Sequence, residues 1–238
     1  MKSIDSLKVK IFADGADKNA MLEMYKKPFI QGLTTNPTLM NKAGIRDYRD
    51  FCKDILLSIK DKPLSFEVFS DDFKEMYRQA IEIASWGDNV YVKIPITNTK
   101  KEGCYSLVKE LAEQNVKVNV TAMMTLDQVS KVIGVLNPNV PSYISIFAGR
   151  IADTGRDPLP IMMSALEIME SNSKSELIWA SPRELLNIFQ ADEIGCHVIT
   201  VTSDILKKLS LVGYDLDTYS LDTVKMFYND AVVAGFRI

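Results

Sequence analysis

The sequence predicts an α/β fold, a closed (β/α)8 barrel of the TIM-barrel type with an extra C-terminal helix, and three observations support this prediction. The chain has 238 residues, of which 47% are hydrophobic, and a barrel of this kind typically takes about 250 residues. Short β-branched and apolar runs alternate with longer amphipathic stretches, as in a sheet of parallel strands joined by helices. An open doubly wound sheet would need a glycine-rich phosphate loop after its first strand, but the segment FADGAD carries only Gly15 there.

Eight apolar runs are predicted to be the strands, and they are spread evenly along the chain. They are KVKIFAD (8–14), FIQGLTT (29–35), LSFEVF (64–69), NVYVKIPI (89–96), VKVNVTA (116–122), SYISIFA (142–148), ELIWAS (176–181) and CHVITV (196–201). Amphipathic stretches such as DDFKEMYRQAIEIASW and TLDQVSKVIGVL lie between them. Their apolar residues recur every three or four positions, which predicts helices that pack on the outside of the sheet.

The chain continues beyond the eighth strand with more helix than a barrel requires. The pattern predicts a helix over SDILKKLSLV, a polar link GYDLDTYS and a last helix LDTVKMFYNDAVVAGF. We interpret residues 1–238 as a single barrel domain in which residues 211–238 form a C-terminal helical extension, because no linker or short-period repeat marks a boundary. This extension is expected to pack across the barrel or against a neighbouring subunit, and we expect a homo-oligomer.

Charge and cysteine content limit the classes of partner. The 28 basic and 31 acidic residues leave a net charge of -3, without the basic stripe that nucleic acid or an anionic membrane surface would need. A few well-placed arginines could still bind an anionic small molecule. Cys52, Cys104 and Cys196 show no disulfide or zinc-ligand pattern. With no evident signal peptide or membrane span, the expected location is the cytoplasm.

Polar residues are predicted at the carboxyl ends of most strands, where barrel enzymes carry their active sites. These residues are Asp14, Thr34, Thr35, Asn36, Glu67, Lys93, Asn119, Thr121, Ser145, Arg150, Ser181 and Arg183. Because side chains alternate along a strand, Asn119 and Thr121 are expected to point to the same face. The ends of the strands therefore form the candidate site.

Lys93 is the candidate nucleophile. It interrupts the apolar run VYVKIPI, and a strand in a parallel barrel is buried on both faces, where an ammonium group is costly unless it is paired or neutralised. Burial favours the neutral amine, which can attack a carbonyl carbon and form an imine. The alternative is a structural ion pair with a neighbouring carboxylate, and the position of Lys93 alone does not decide between the two.

Asp14 and Glu67 are the candidate acid and base groups. Imine chemistry needs one group to move the proton of a substrate hydroxyl and another to help dehydrate the carbinolamine, and two carboxylates at one barrel mouth could serve both steps. The alternative is that these carboxylates cap the helices that follow their strands. This alternative fits Asp14 better than Glu67, which lies between Phe66 and Val68.

Arg150 and Arg183 are the candidate ligands of an anion. They follow the sixth and seventh strands, near Ser145 and Ser181. Guanidinium groups, hydroxyls and the amides of a helix N-terminus together suit a phosphate group. The alternative is that both arginines are solvated surface charges.

Other residues that often carry chemistry are predicted to be structural. His197, the only histidine, lies in an apolar run and is interpreted as a core residue with a satisfied hydrogen bond. The eleven methionines fall mostly at helical spacing and are expected to fill the core. Trp86 and Trp179 are expected to be packing residues, although Trp179 lies near the mouth of its strand.

Four segments, GLTTNPT, NVYVKIPIT, VNVTAM and SIFAGRIAD, taken in order, resemble the transaldolase family. In length the chain is most similar to short-chain transaldolases and to the related fructose-6-phosphate aldolases, and the resemblance covers nearly the whole barrel. It implies a class I aldolase of the pentose phosphate pathway that works through a lysine Schiff base and needs no metal or organic cofactor. The enzyme would transfer a dihydroxyacetone unit from a ketose phosphate, sedoheptulose 7-phosphate or fructose 6-phosphate, to an aldose phosphate.

The resemblance also implies roles for individual residues. Lys93 corresponds to the Schiff-base lysine and Asp14 to the acid/base group at the substrate C4 hydroxyl. Glu67 and Thr121 correspond to the pair that holds the catalytic water. The residues that correspond to substrate ligands or line the substrate site are Thr34, Asn36, Asn119, Ser145 and Phe147, with Arg150, Ser181 and Arg183 at the phosphate.

Two positions distinguish transfer from simple cleavage. Fructose-6-phosphate aldolases typically carry glutamine at the position of Glu67 and tyrosine at that of Phe147. Glu67 can polarise a water, and Phe147 cannot donate a proton to the carbanion equivalent, so the enamine is expected to wait for an aldehyde acceptor. Pro182 and the long C-terminal tail depart from the commoner family pattern. Two alternatives remain, an aldolase that releases free dihydroxyacetone and a noncatalytic barrel that binds sugar phosphates.

Overall fold

A computed structural model describes residues 3–238, and Met1 and Lys2 of the predicted domain lie outside the described residues. Eight parallel strands close into a barrel in the order of the sequence. The strands are β1 (Lys10–Asp14), β2 (Ile30–Thr34), β3 (Leu64–Glu67), β4 (Val90–Pro95), β5 (Val118–Met123), β6 (Ser142–Ile146), β7 (Ser175–Trp179) and β8 (Val198–Thr202). The prediction of a (β/α)8 barrel is confirmed, and every strand overlaps a predicted run, with β5, β7 and β8 each extending one residue beyond it.

Helices follow each strand and cover the outside of the barrel. They are α1 (Lys18–Tyr25), α2 (Pro37–Lys42), α3 (Tyr48–Ser58), α4 (Phe73–Ala84), α5 (Tyr105–Glu113), α6 (Leu126–Ile133), α7 (Ala148–Ala152), α8 (Leu159–Met169), α9 (Leu186–Glu193), α10 (Ser203–Leu206) and α11 (Leu216–Ala234), with 3-10 helices at Ile4–Ser6 and Lys207–Leu211. Aspartate, asparagine and threonine side chains cap several of them; Thr125, for example, forms a capping box with Gln128 at the start of α6. The apolar faces of the helices and the outward side chains of the strands form the main core.

A second, smaller apolar cluster fills the inside of the barrel. It consists of Phe12, Tyr91, Tyr143, Ile178, Ala180 and Val198, which we call the aromatic plug. The ring of Tyr143 lies 5.6 Å from Phe12 and 4.3 Å from Tyr91, centroid to centroid. Gly32 leaves room for this packing, because a Cβ atom there would lie 2.5 Å from the Phe12 ring. On β1, β4, β6 and β8 the side chain two residues after the plug residue points into the barrel above the plug.

The last helix, α11, begins earlier than predicted. Asp215 caps it by accepting a hydrogen bond from Thr218 N–H, and Gly235 ends it in the left-handed conformation with φ of 67°. No residue of α11 is buried, so within this chain the helix is not packed across the barrel, and the other expected contact, with a neighbouring subunit, stays a prediction. Neither α11 nor any other helix within residues 3–238 is long and apolar enough to cross a membrane.

Candidate active site

A cavity of about 610 Å³ opens at the carboxyl ends of the strands, above the aromatic plug. Of the residues predicted at the strand ends, Thr35 does not line this cavity. The predicted residues that do line it are Asp14, Thr34, Asn36, Glu67, Lys93, Asn119, Thr121, Ser145, Phe147, Arg150, Ser181 and Arg183. The closed barrel brings these residues together from positions that are far apart in the chain. The structure thus places these predicted residues in one cavity, while their roles remain predictions.

Lys93 lies on β4 between two polar neighbours in register, Glu67 on β3 and Asn119 on β5. Its side chain is 8% exposed, and Nζ lies 3.1 Å from Glu67 Oε2. Nζ also donates a hydrogen bond to the carbonyl of Thr35 at 2.9 Å. The ion pair considered as the structural alternative is therefore present, and it lies inside the cavity. The carboxylate of Glu67 therefore lies within hydrogen-bonding distance of the candidate nucleophile.

Asp14 closes β1 on the other side of the cavity. Its Oδ1 accepts a hydrogen bond from Thr34 Oγ1 at 2.8 Å, and Thr34 Oγ1 lies 2.5 Å from Thr200 Oγ1. Burial raises the pKa of Asp14 above its usual value, the charge of Lys93 and the bond from Thr34 lower it, and the charge of Glu67 raises it. A carboxyl whose pKa is moved toward neutrality suits general acid and base catalysis.

Helix capping does not explain the two carboxylates. Asp17 caps α1 and Asp72 caps α4, so the interpretation of Asp14 and Glu67 as caps is wrong. Asn36, predicted as a ligand of a substrate hydroxyl, does cap a helix, because its Oδ1 accepts an N–H from the first turn of α2 at 3.0 Å. The amide nitrogen of Asn36 is the atom that could bind substrate.

A chain of buried hydrogen bonds runs along the base of the cavity. Ser145 Oγ donates to Asn119 Oδ1 at 2.7 Å, and Asn119 Nδ2 donates to Ser65 Oγ at 3.0 Å. Ser65 and Thr200, which were not among the predicted residues, orient the residues above them. The signal was available: Ser65 precedes Glu67 by two positions, so the two residues share the inner face of β3.

Thr121 differs from the other described residues that line the cavity in having a buried hydroxyl without a hydrogen-bond partner. Thr121 Oγ1 is buried and has no hydrogen-bond partner in the described part of the chain. The next residue, Ala122, has a φ of 61°, and the register between β5 and β6 shifts between Val120 and Met123. This irregularity interrupts the strand ladder beside Thr121. The hydroxyl is thus positioned to bind a water or a substrate atom.

The predicted anion ligands lie together at the rim. Arg150 is exposed on α7, and Ser181 follows β7 in the left-handed region with φ of 59°. Gly149 lets these segments touch, since a Cβ atom there would lie 1.6 Å from the Ser181 carbonyl oxygen. Arg183 is not simply a solvated charge: Nε donates to Asp153 Oδ1 at 2.9 Å, and Nη2 donates to Oδ2 of the same carboxylate. This bidentate pair fixes the guanidinium plane at the rim.

The residues interpreted as structural lie outside this cavity. His197 Nδ1 accepts a hydrogen bond from Leu177 N–H at 3.0 Å, and burial lowers the pKa of His197, which keeps the imidazole neutral. This confirms the prediction of a satisfied histidine. Trp179 is 1% exposed and belongs to the main core. Cys52, Cys104 and Cys196 are buried thiols.

A deep cavity at the carboxyl end of a (β/α)8 barrel, with a buried lysine, two carboxylates and a basic rim, defines a (β/α)8-barrel enzyme. Comparison with known proteins narrows this class. The model of the transaldolase/fructose-6-phosphate aldolase family matches residues 11–236. The chain belongs to this family, as the resemblance predicted.

Several proteins that are similar to this chain are named probable transaldolases. A probable transaldolase of Thermoanaerobacter sp. (strain X514) is 34% identical over 97% of this chain and 100% of the relative. One of Sulfurihydrogenibium sp. (strain YO3AOP1) is 34% identical over 85% of this chain and 89% of the relative. A third, of Dehalococcoides mccartyi, is 32% identical over 84% and 90%. The alignments therefore cover most of both chains in each pair.

Proposed function

We propose that this protein is a transaldolase. It would transfer a dihydroxyacetone unit from fructose 6-phosphate or sedoheptulose 7-phosphate to an aldose phosphate through an imine on Lys93, a step of the pentose phosphate pathway. The observation that carries the proposal is the buried Lys93 amine, 3.1 Å from Glu67 Oε2, in a cavity that also holds Asp14. The match of residues 11–236 to the transaldolase/fructose-6-phosphate aldolase family also supports the proposal.

The imine forms first. Lys93 gives its proton to Glu67, and the neutral amine attacks C2 of the ketose to form a carbinolamine. Glu67 returns a proton to the departing hydroxyl, which leaves as water. Thr121 Oγ1, which has no hydrogen-bond partner among residues 3–238, holds that water for the later hydrolysis.

Bond cleavage follows. Asp14 takes the proton of the C4 hydroxyl as the C3–C4 bond breaks, and the bonding electrons pass to the protonated imine to give an enamine. The first aldose phosphate leaves, a second adds to the enamine carbon, and Asp14 returns the proton to the new hydroxyl. Hydrolysis of the imine then frees the product and Lys93. The raised pKa of Asp14 favours this exchange of one proton in both directions.

The rim holds the phosphate. Arg150, Ser181 and Arg183 would bind the anion, and Asn119 and Ser145 would bind the hydroxyls of the three-carbon unit. Asp153 orients Arg183 through the bidentate pair, so the arginine presents its remaining N–H groups in a fixed direction.

Cleavage to free dihydroxyacetone is the second candidate function. Phe147 argues against it, because its ring packs against the aromatic plug and offers no proton to the enamine. A product assay distinguishes transfer from cleavage. A transaldolase yields little free dihydroxyacetone without an aldehyde acceptor, whereas a fructose-6-phosphate aldolase releases it continuously.

Borohydride trapping tests the proposal itself. Incubation with fructose 6-phosphate and sodium borohydride should add one reduced three-carbon or six-carbon adduct to Lys93, detected by peptide mass spectrometry. Lys93→Met should lose both the adduct and turnover. Lys42→Met is the matched control, because Lys42 lines the same cavity but is exposed. Substrate binding without any adduct would instead indicate a noncatalytic sugar-phosphate-binding barrel.

We further propose that residues 1–238 form one domain of a cytoplasmic homo-oligomer, with residues 211–238 as its contact arm. Helix α11 exposes large apolar side chains, among them Phe227 at 62% and Val233 at 89%, and patches of this kind commonly mark protein interfaces. Light scattering should give a mass above that of one chain. Phe227→Asp should lower that mass; a wild-type protein that elutes as a monomer would refute the proposal.

A further inference from the structure

The hydrogen-bond ladder between β2 and β3 stops beside the nucleophile. Thr35 N–H donates to the Ser65 carbonyl at 3.3 Å. In a continued parallel ladder the next bond would run from Glu67 N–H to the Thr35 carbonyl. That carbonyl instead accepts a hydrogen bond from Lys93 Nζ at 2.9 Å. The interrupted ladder gives the lysine its acceptor, and it leaves the backbone of Glu67 in need of another partner.

The hydroxyl of Tyr48 is that partner. Tyr48 Oη accepts a hydrogen bond from Glu67 N–H at 2.8 Å and donates one to the Glu67 carbonyl at 2.7 Å. On the other edge of β3, Val68 N–H donates to the Lys93 carbonyl at 3.1 Å. A single hydroxyl thus takes the place of the missing strand contact at Glu67.

Tyr48 is itself held from outside the cavity. It is the first residue of α3, directly after the cap Asp47, and it does not line the active-site cavity. Its ring lies 5.2 Å from the ring of Phe69 and 6.3 Å from that of Trp86, centroid to centroid. Burial raises the pKa of Tyr48 far above its ordinary value, so the hydroxyl keeps the proton that it donates to Glu67.

We propose that Tyr48 is a positioning residue that keeps the Glu67 carboxylate beside Lys93 while the imine forms and hydrolyses. This inference rests on the proposed function. Without the hydroxyl, Glu67 N–H can bond to the Thr35 carbonyl and close the ladder. That bond would draw the backbone of β3 toward β2 and shift the Glu67 carboxylate away from Lys93 Nζ, so the effect of Tyr48 passes through Glu67.

A double-mutant cycle with Tyr48→Phe and Glu67→Gln tests the proposal. Imine formation is measured by borohydride quenching and mass spectrometry, together with kcat and KM for fructose 6-phosphate. Tyr48→Phe should lower the rate of imine formation and kcat by about tenfold or more, because small displacements of catalytic groups cost one to two orders of magnitude, and should leave KM nearly unchanged. In the Glu67→Gln background the same substitution should cost almost nothing.

Phe69→Leu is the control, since it disturbs the same aromatic packing and keeps the hydroxyl; its kcat should fall far less than that of Tyr48→Phe. Equal losses from Tyr48→Phe in both backgrounds, or an equal loss from Phe69→Leu, would overturn the proposal. If the wild-type protein traps no adduct, the proposed function and this inference both fall. If it traps the adduct and the losses are additive, only the positioning role falls.

Amide hydrogen exchange keeps the proposal testable should Tyr48→Phe fold poorly. In the unmodified protein the Glu67 amide should exchange as slowly as the Val68 amide, because each donates to a fixed acceptor. Fast exchange at Glu67 alone would contradict the contact with Tyr48 and overturn the proposal.

Discussion

Gly149→Ala should displace the proposed phosphate-binding rim and leave the rest of the cavity largely in place. The new Cβ atom would lie 1.6 Å from the Ser181 carbonyl oxygen and 2.7 Å from its carbon, whereas side-chain carbons keep at least 3.0 Å from other heavy atoms. The two backbone segments must therefore separate by about 1.4 Å, the difference between the required and the available distance. Those segments carry Arg150, Ser181 and Arg183. A misplacement of about 1 Å costs about 100-fold in rate, which is about 2.7 kcal/mol of transition-state binding.

The assay is kcat/KM for a phosphorylated and an unphosphorylated ketose. Gly149→Ala should lower the value for fructose 6-phosphate by about 100-fold and that for fructose much less, with a loss of stability of about 1–3 kcal/mol from overpacking. Gly134→Ala is the matched control, because its nearest neighbouring atom lies 3.5 Å from the added carbon and its φ is -64°. A Gly149→Ala enzyme with wild-type kcat/KM for both ketoses would refute the reasoning.

Three further substitutions test the roles of Asp14, of the aromatic plug and of Thr121. Burial raises the pKa of Asp14 in the folded protein above its ordinary value of 3.8, so the wild type loses stability as the pH rises from 3.8 through the folded-state pKa. Asp14→Asn should therefore be more stable than the wild type in urea at about pH 7, and its advantage should shrink as the pH is lowered toward 3.8. An advantage that grows on acidification would contradict this. Phe12→Ala should lower the free energy of unfolding by about 3–5 kcal/mol, against under about 0.5 kcal/mol for the surface variant Leu57→Ala; similar losses would argue against the plug. Thr121→Ala should leave the melting temperature unchanged and slow imine hydrolysis about 100-fold; full activity would exclude Thr121 from the water site.

The barrel and the residues around its mouth could be predicted from local sequence because each signal lies within one strand or directly after it. Lys93 interrupts an apolar run, and Asp14 ends one, so alternation and strand order are sufficient to bring them to the same end. The start of helix α11 was predicted less accurately. Because no face of it is buried, its first turn carries no apolar period, and the polar stretch that includes Asp215 was interpreted as a link.

The contacts that orient the site could not be predicted in the same way. Tyr48 meets Glu67 across 19 positions, and Arg183 meets Asp153 across 30. Neither pair shares an element, so no periodicity relates its members. Such contacts depend on how a helix lies against the end of a strand, which follows from the packing of the whole barrel.

The aromatic plug has a kinetic consequence. Because Phe12, Tyr91 and Tyr143 fill the barrel from below, a substrate reaches Lys93 through the mouth at the carboxyl ends of the strands. In the proposed transfer the first aldose phosphate must leave through that mouth before the acceptor can enter. The reaction should then show double-displacement kinetics, with parallel lines when reciprocal rate is plotted against reciprocal donor concentration at several acceptor concentrations. With access through this mouth, the cavity binds donor and acceptor one after the other, and Lys93 holds the three-carbon unit between the two binding events.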